Sequence, residues 1–174
     1  MIKTGLATLA ALAITGCVIG DASTSSDGTY ELTSLQQSDL NRARRATAAF
    51  HDVANAEAAG YANSGLPCIE GQGFHWLKPS LLGNHDVTTP AALLYFPDDD
   101  GELELIAIEW ITPISSSTQT ADVLFGQTFH GPEHVDGVPF DFFGLHVWAQ
   151  LNNRTGLFSD TNPRISCARG HLDD

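Results

Sequence analysis

The sequence predicts an α+β domain in which a long N-terminal helix packs on a mainly antiparallel sheet of about four or more strands. Apolar residues recur at alternating three- and four-residue steps between Leu40 and Tyr61, which is the period of an amphipathic helix. Several later segments are short, apolar and bounded by Gly, Pro or Asp, as strands are. A helix followed by a run of strands favours a helix lying across one face of the sheet.

The predicted helix spans residues 34–60. Ser34 followed by Gln37 fits a capping box, which satisfies free backbone N–H groups where a helix begins. The segment is rich in alanine, which favours helix and allows close packing on a sheet. Gly60 is expected to end the helix, because glycine tolerates the left-handed conformation that closes many helices.

Four strands are predicted after the helix. Asp98–Gly101 has the residues of a hairpin turn and joins the second strand to the third. The third strand is apolar on both faces, which indicates a central position in the sheet. The predicted strands are 73–77, 91–96, 103–111 and 140–151.

The remaining segments are predicted to be irregular. Residues 112–139 form a loop with several Gly and Pro residues, and a loop of this length is usually functional or disordered. A second helix is expected within it, at 120–125. The tail, 152–174, is predicted to lack regular structure.

Residues 1–16 are predicted to be a signal peptide. Lys3 gives the positive start, and the apolar run Gly5–Ile14 is shorter than the about 20 residues of a membrane-spanning helix. The run ends in Ile14-Thr15-Gly16-Cys17, which resembles the lipobox of bacterial lipoproteins. The resemblance implies cleavage before Cys17 and lipidation of its thiol, which anchors the protein to a membrane. The alternative is an ordinary secretory signal that happens to contain a cysteine.

The mature chain is predicted to begin with a tether and to continue as one domain. Residues 17–33 comprise the lipidated cysteine and a polar stretch with too few apolar residues to fold. Residues 34–174 suit a single α+β domain. In lipoproteins of cells with two membranes, an Asp after the cysteine favours the inner membrane, so Val18 favours the outer membrane where the cell has one. In a cell with one membrane, the anchor is expected on the outer face of the cell membrane.

The charge excludes one class of partner. The net charge is −13, and removal of Lys3 with the signal peptide leaves −14. Nucleic acid is therefore excluded as a partner, because its recognition needs a basic surface. The sequence does not identify a protein partner.

Two cysteines remain after Cys17 is assigned to the lipid. Cys68 and Cys167 are an even pair in the oxidising compartment that export implies, and they favour a disulfide. The rival interpretation makes them two thiolate ligands of a metal ion.

The candidate metal site consists of His75, Glu109 and His146, each within a predicted strand. A buried carboxylate without a partner is costly, so Glu109 needs a cation, a hydrogen-bond donor or a proton. If the strands are neighbours, two imidazoles and one carboxylate converge as a ligand set suited to Zn, Fe, Cu or Ni. On one face of the third strand, the alternation places Leu105, Ala107, Glu109 and Ile111.

Other interpretations of these residues remain open. Aromatic side chains could line an apolar pocket in which the histidines make polar contacts with a small ligand. Alternatively, all of them are core residues of a structural or adhesive surface protein. No phosphate loop, dinucleotide fingerprint or nucleophile elbow identifies a reaction, so the metal hypothesis covers a carrier, a sensor or a minor metalloenzyme. The residues considered for the pocket are Phe74, Trp76, Trp110, Phe142 and Trp148.

The segment His130–Asp136 contains the pattern H-x-x-E-H of a class of zinc proteases. That chemistry needs both histidines on one helix face, and Gly131-Pro132 would break such a helix, so the protease interpretation is rejected. His130 and His134 are kept as further candidate metal ligands from a loop, against the alternative of a solvated polar loop.

Several motifs together resemble a family of uncharacterised exported bacterial proteins. They are Gly73-Phe74-His75-Trp76, Glu109-Trp110, Leu145-His146-Val147-Trp148 and Asn162-Pro163-Arg164-Ile165-Ser166-Cys167, and the likeness covers about residues 40–168. The resemblance supports export, a single domain and pairing of the two remaining cysteines. It implies no reaction.

The Cys17→Ala variant is expected to leave the membrane fraction while its domain still folds. The acidic domain has no basic surface for anionic headgroups, so the lipid is the expected anchor. Cell fractionation with immunoblotting measures this. A variant that stays in the membrane pellet would contradict lipid anchoring.

Overall fold

The computed structural model of the chain describes residues 31–172, so the predicted signal peptide and Cys17 lie outside the described residues. The helical region is not the single helix 34–60 that the sequence predicts. Helix α1 spans Ser34–Thr47, a 3-10 turn covers Ala48–His51, and helix α2 spans Val53–Ala58. Asp52 causes the break, because its backbone is extended and its side chain accepts the Ala54 N–H to begin α2 anew.

The caps of this region differ in part from the prediction. The capping box consists of Thr33 and Gln36, one residue earlier than predicted. Gln36 is buried and donates to the Phe125 carbonyl 2.9 Å away, which holds it in this position. Gly60 ends α2 as predicted, at φ +93°. Within residues 31–172, no helix is long and apolar enough to cross a membrane.

The part of the chain from residue 31 to 172 contains eight strands, and all of their pairings are antiparallel. Six strands form one sheet in the order β1-β2-β3-β4-β8-β7, and β5 pairs with β6. The mixed architecture with an antiparallel sheet is therefore confirmed. The strands are β1 (Ala62–Asn63), β2 (Phe74–Leu77), β3 (Ala92–Pro97), β4 (Leu103–Pro113), β5 (Val123–Leu124), β6 (Gln127–Thr128), β7 (His130–Glu133) and β8 (Phe142–Val147).

The helix predicted at 120–125 is wrong. Strands β5 and β6 form a hairpin there, and its two turn residues, Phe125 and Gly126, both have positive φ. Two successive residues of this kind suit a tight hairpin turn, and they are incompatible with a right-handed helix. The predicted long loop thus contains three short strands, of which β7 joins the edge of the main sheet.

A β-bulge changes the faces of β4. Leu94 pairs with Ala107 and Tyr95 pairs with Leu105, so Ile106 has no opposite residue on β3. Leu105 consequently packs in the helix-side core, and Ile106 and Ala107 both pack in the other core. The prediction that Leu105 shares a face with Ala107 is therefore wrong, because strict alternation fails at a bulge.

The sheet separates two apolar cores. One contains α1 residues such as Leu40 and Ala43 together with alternate sheet residues. Polar tips on this side are satisfied, since the Tyr95 hydroxyl donates to the Phe50 carbonyl at 2.6 Å and the Lys78 ammonium donates to the Ala59 carbonyl at 2.8 Å. The second core lies on the opposite face and includes Ile165 of the tail.

The tail is irregular, as predicted, and a disulfide ties it down. Cys68 and Cys167 are bonded, with their Cα atoms 5.8 Å apart, so they are not free thiolate ligands. The Cys167 N–H also donates to the Glu70 carboxylate at 2.9 Å. These links hold the tail against the segment before β2, on the sheet face that does not carry the helices.

Candidate functional site

Three buried polar side chains meet on this second sheet face. His75 lies on β2, Glu109 on β4 and His146 on β8, and Glu109 is directly opposite His146 in the β4–β8 pairing. Strand β3 lies between β2 and β4, and its residue opposite Glu109 is Ala92. The small Ala92 side chain leaves room for the His75 ring and the Glu109 carboxylate to approach each other over β3.

The distances among the three residues are close to those of a metal site. His75 Nε2 lies 3.7 Å from Glu109 Oε2, and His146 Nε2 lies 3.7 Å from Glu109 Oε1. One ligand atom from each residue lies within 4.8 Å of the other two. Ligand bonds of about 2.0–2.2 Å place the ligand atoms of a tetrahedral ion about 3.3–3.6 Å apart. An ion bound by one atom from each residue would therefore draw these atoms together by up to about 1.5 Å.

These three residues are buried without hydrogen bonds that would explain them. Their exposed fractions are 8% for His75, 2% for Glu109 and 2% for His146. His75 Nδ1 and both ring nitrogens of His146 have no hydrogen-bond partner among the described residues. An unsatisfied buried polar atom costs about 1–3 kcal/mol, so a bound ion would compensate for an arrangement that is otherwise unfavourable.

The protonation states favour ligation by His75. Burial and, to a smaller extent, the neighbouring His146 together lower the pKa of His75 to about 3. Its 3.7 Å contact with Glu109 therefore joins a neutral imidazole to a carboxyl group and is not an ion pair. A neutral imidazole has a free lone pair for a metal ion at physiological pH.

Glu109 and His146 behave as a coupled pair. Burial raises the pKa of Glu109 to about 7, with Glu133 and Asp160 adding to the effect and His146 opposing it. Burial alone would lower the pKa of His146, but the Glu109, Asp160 and Glu133 carboxylates more than offset it, so this pKa is raised. A proton shared by the two groups near neutral pH is therefore the competitor of a metal ion at this site.

The Asp160 carboxylate lies near the Nδ1 atom of His146. His146 Nδ1 lies 3.9 Å from Asp160 Oδ1, slightly beyond hydrogen-bonding distance, and the same carboxylate oxygen contacts His130 Nδ1. A carboxylate behind a metal-binding histidine favours the tautomer whose other nitrogen faces the ion. Nothing in the sequence marks Asp160, because it lies in the irregular tail that the disulfide holds.

The two loop histidines differ from the predicted ligands in position. The His130 ring contacts Asp160, the carboxylate that lies near Nδ1 of His146, and His130 is not one of the three clustered ligand residues. His134 is exposed and lies 2.8 Å from Asp141. The described residues that the structure brings together as a metal-binding group are His75, Glu109 and His146 alone.

Glu133 is a site residue that the sequence analysis passed over. It sits in the rejected H-x-x-E-H pattern, and β7 places its carboxylate at the same cavity as the three strand residues. Its Oε1 atom is buried without a hydrogen-bond partner among the described residues, and burial raises the pKa of this carboxyl group. The H-x-x-E-H pattern could have drawn attention to Glu133, but its position at the cavity depends on the pairing of β7 with β8 at the edge of the sheet.

Gly144 on β8 leaves the space that these carboxylates occupy. A Cβ atom at this position would lie 3.1 Å from Glu109 Oε1 and 3.2 Å from Glu133 Oε1. Gly144 is also the only glycine of residues 31–172 without a positive φ. Its backbone does not need glycine, so the requirement at this position is for room above the sheet.

The site opens into a cavity of about 110 Å³ with mainly apolar walls. Besides His75, Glu109, Glu133 and His146, polar side chains in its lining come from Ser64 and Gln72. Phe142 lines the cavity. The other aromatics considered for a pocket lie elsewhere: Trp76 and Trp110 pack in the helix-side core, Trp148 is buried in the second core, and Phe74 packs against both cores.

No protein family, curated protein or solved structure matches this chain. The family resemblance drawn from its motifs therefore stays an expectation, and the functional conclusion depends on the geometry of the site.

The Gly144→Ala variant is expected to fold with a similar unfolding temperature but to bind a divalent transition metal at least about tenfold more weakly. The added methyl group would push the Glu109 and Glu133 carboxylates from their positions without straining an extended backbone. Calorimetric titration with Zn²⁺ and thermal unfolding monitored by circular dichroism measure the two effects. Unchanged zinc affinity would show that metal binding does not depend on the positions of the Glu109 and Glu133 carboxylates.

Proposed function

We propose that this protein is a lipid-anchored extracytoplasmic protein that binds a divalent transition metal through His75, Glu109 and His146. The proposal depends chiefly on one observation: two imidazoles and a carboxylate are buried with their ligand atoms within 4.8 Å of one another. Their unsatisfied nitrogens are what distinguishes this cluster from ordinary core histidines, which are normally hydrogen-bonded.

The ligand chemistry narrows the class of ion. Two nitrogen ligands and one oxygen ligand suit Zn, Fe, Cu or Ni, whereas Ca and Mg prefer all-oxygen sites. Three protein ligands leave at least one coordination position open toward the cavity. An open position is compatible with a carrier, a sensor or an enzyme, and no reaction is assigned.

The proposed location has separate support. The Ile14-Thr15-Gly16-Cys17 segment resembles a lipobox, and the Cys68–Cys167 disulfide is typical of proteins in oxidising compartments outside the cytoplasm. Metal binding and anchoring are independent parts of the proposal, because Cys17 lies outside the described residues.

A second candidate function is non-catalytic binding of a small ligand without a metal. The apolar cavity beside the histidines favours it, since ligand sites combine apolar walls with a few convergent polar groups. In that case the imidazoles and carboxylates would contact the ligand directly.

Calorimetric titration of the metal-free domain with Zn²⁺, Cu²⁺, Ni²⁺ and Fe²⁺ is expected to show one site per chain. His75→Ala or His146→Ala is expected to lose most of the affinity, because one of three ligands is removed. Glu109→Gln is expected to lose less affinity but to change the order of preference among metals, since the hard oxygen ligand is weakened.

His134→Ala is the matched control, because His134 is exposed and outside the cluster. It is expected to bind metal like the wild type. Binding no tighter than about 100 μM for every metal, or an equal loss in the His134 control, would rule out this site and favour the metal-free alternative.

Metal affinity is expected to fall as the pH falls from about 8 to about 6. The ion needs Glu109 deprotonated and His146 neutral, and the pKa of each group is raised, so protons compete from about pH 7 downward. His75, with a pKa of about 3, adds no competition in this range. Titrations at several pH values in a buffer that does not bind metals measure this. An affinity independent of pH over this range would contradict ligation by the Glu109–His146 pair.

A further inference from the structure

The cavity at the metal-binding cluster is lined by residues from several segments of the chain. Two of these segments, 64–72 and 133–142, are close together where a Cβ atom on Gly137 would lie 3.1 Å from Leu66 Cδ2. His75, Glu109, Glu133 and His146 form its polar floor. The volume is about 110 Å³, of the order of the ~150 Å³ apolar cavities that hold one benzene molecule.

Its walls are apolar and belong to separate elements. The side chains of Leu66, Leu82 and Val138 are half-buried, which leaves them room to move and admit a ligand, whereas Ile111 and Phe142 are buried. The apolar side chains around the cavity are Leu66, Ile69, Leu77, Leu82, Ala92, Ile111, Val135, Val138, Phe140 and Phe142. A ligand here would gain most of its binding free energy from burial of apolar surface.

The charges at the floor constrain the ligand further. No Lys or Arg is among the described residues that line the cavity. A divalent ion together with the Glu109 and Glu133 carboxylates has no net charge. An anionic head group would thus enter a low-dielectric site without a compensating cation, and a protonated amine has no free lone pair to give to the metal.

We infer that this cavity binds an uncharged apolar molecule, about the size of a single aromatic ring with a short substituent, through one oxygen or nitrogen atom that takes the open position on the metal. The apolar body lies among Leu66, Leu82 and Val138, and the donor atom points to the floor. This inference rests on the proposed metal site and adds the class of ligand that the site selects.

Three probes with the same ring and different charge test the inference: benzyl alcohol, benzoate and benzylammonium. The domain is loaded with Co²⁺, and its visible absorption spectrum reports a new ligand on the metal. Benzyl alcohol is expected to change the spectrum and to bind at least about tenfold more tightly than either charged probe. In a series of alcohol probes that differ by one methylene group, each methylene removed is expected to weaken binding about fourfold.

Two variants separate the cavity from the metal site. Val138→Phe is expected to abolish benzyl alcohol binding while Co²⁺ affinity is retained, because the larger ring fills the cavity. Val123→Phe is the matched control, since Val123 is exposed and does not line the cavity. Leu82→Trp is a second filling variant in case Val138→Phe does not fold, and retained Co²⁺ binding verifies the fold of each.

The outcomes distinguish the two proposals. Failure of Co²⁺ to bind would refute the metal site and this inference with it. Three results would overturn the ligand inference and leave the metal site standing, provided that Co²⁺ binds. Benzyl alcohol has no effect on the spectrum, or benzoate or benzylammonium binds more tightly than benzyl alcohol. In the third case, the two filling variants bind benzyl alcohol as tightly as the wild type.

Discussion

The arrangement of this domain depends on the burial of one carboxylate between two imidazoles. Glu109 lies near the middle of the longest strand at 2% exposure, where an isolated negative charge is strongly destabilising. His75 and His146 approach its two oxygens from opposite sides at 3.7 Å. At these distances neither imidazole makes a good hydrogen bond with it, so the cluster gains most from a cation among its members.

Features far apart in the chain serve this cluster. The small Ala92 on β3 lies opposite Glu109, and Gly144 on β8 leaves space that the Glu109 and Glu133 carboxylates occupy. Asp160 in the tail lies near His146, and the disulfide holds that tail on the same face of the sheet as the cluster. Among residues 31–172, the helices pack on the other sheet face, and loops and the tail pack on the face with the cluster, where the cavity lies.

The apolar walls of the cavity and the polar cluster affect each other's energetics. Apolar walls lower the local dielectric, which raises the pKa of Glu109 and strengthens its attraction to a metal ion. An ion bound there would in turn satisfy polar atoms that are otherwise costly next to apolar side chains. Glu133 adds a second carboxylate to the lining of the same cavity.

Much of the secondary structure, the disulfide and the candidate site residues could be predicted from local patterns in the sequence. Hydrophobic periodicity predicted the helical region and the main strands. The pairing of Cys68 with Cys167 was expected from their number and from the oxidising compartment that the predicted export implies, and strand positions suggested His75, Glu109 and His146. Local patterns failed where tertiary contacts decide: the break at Asp52, the bulge that turns Leu105 to the helix side, and the β5–β6 hairpin. The convergence of the three ligands, the approach of Glu133 and Asp160, and the cavity above them also come from the tertiary structure. They depend on which strands are neighbours and in what register, and that is set by the packing of the whole sheet rather than by any one segment.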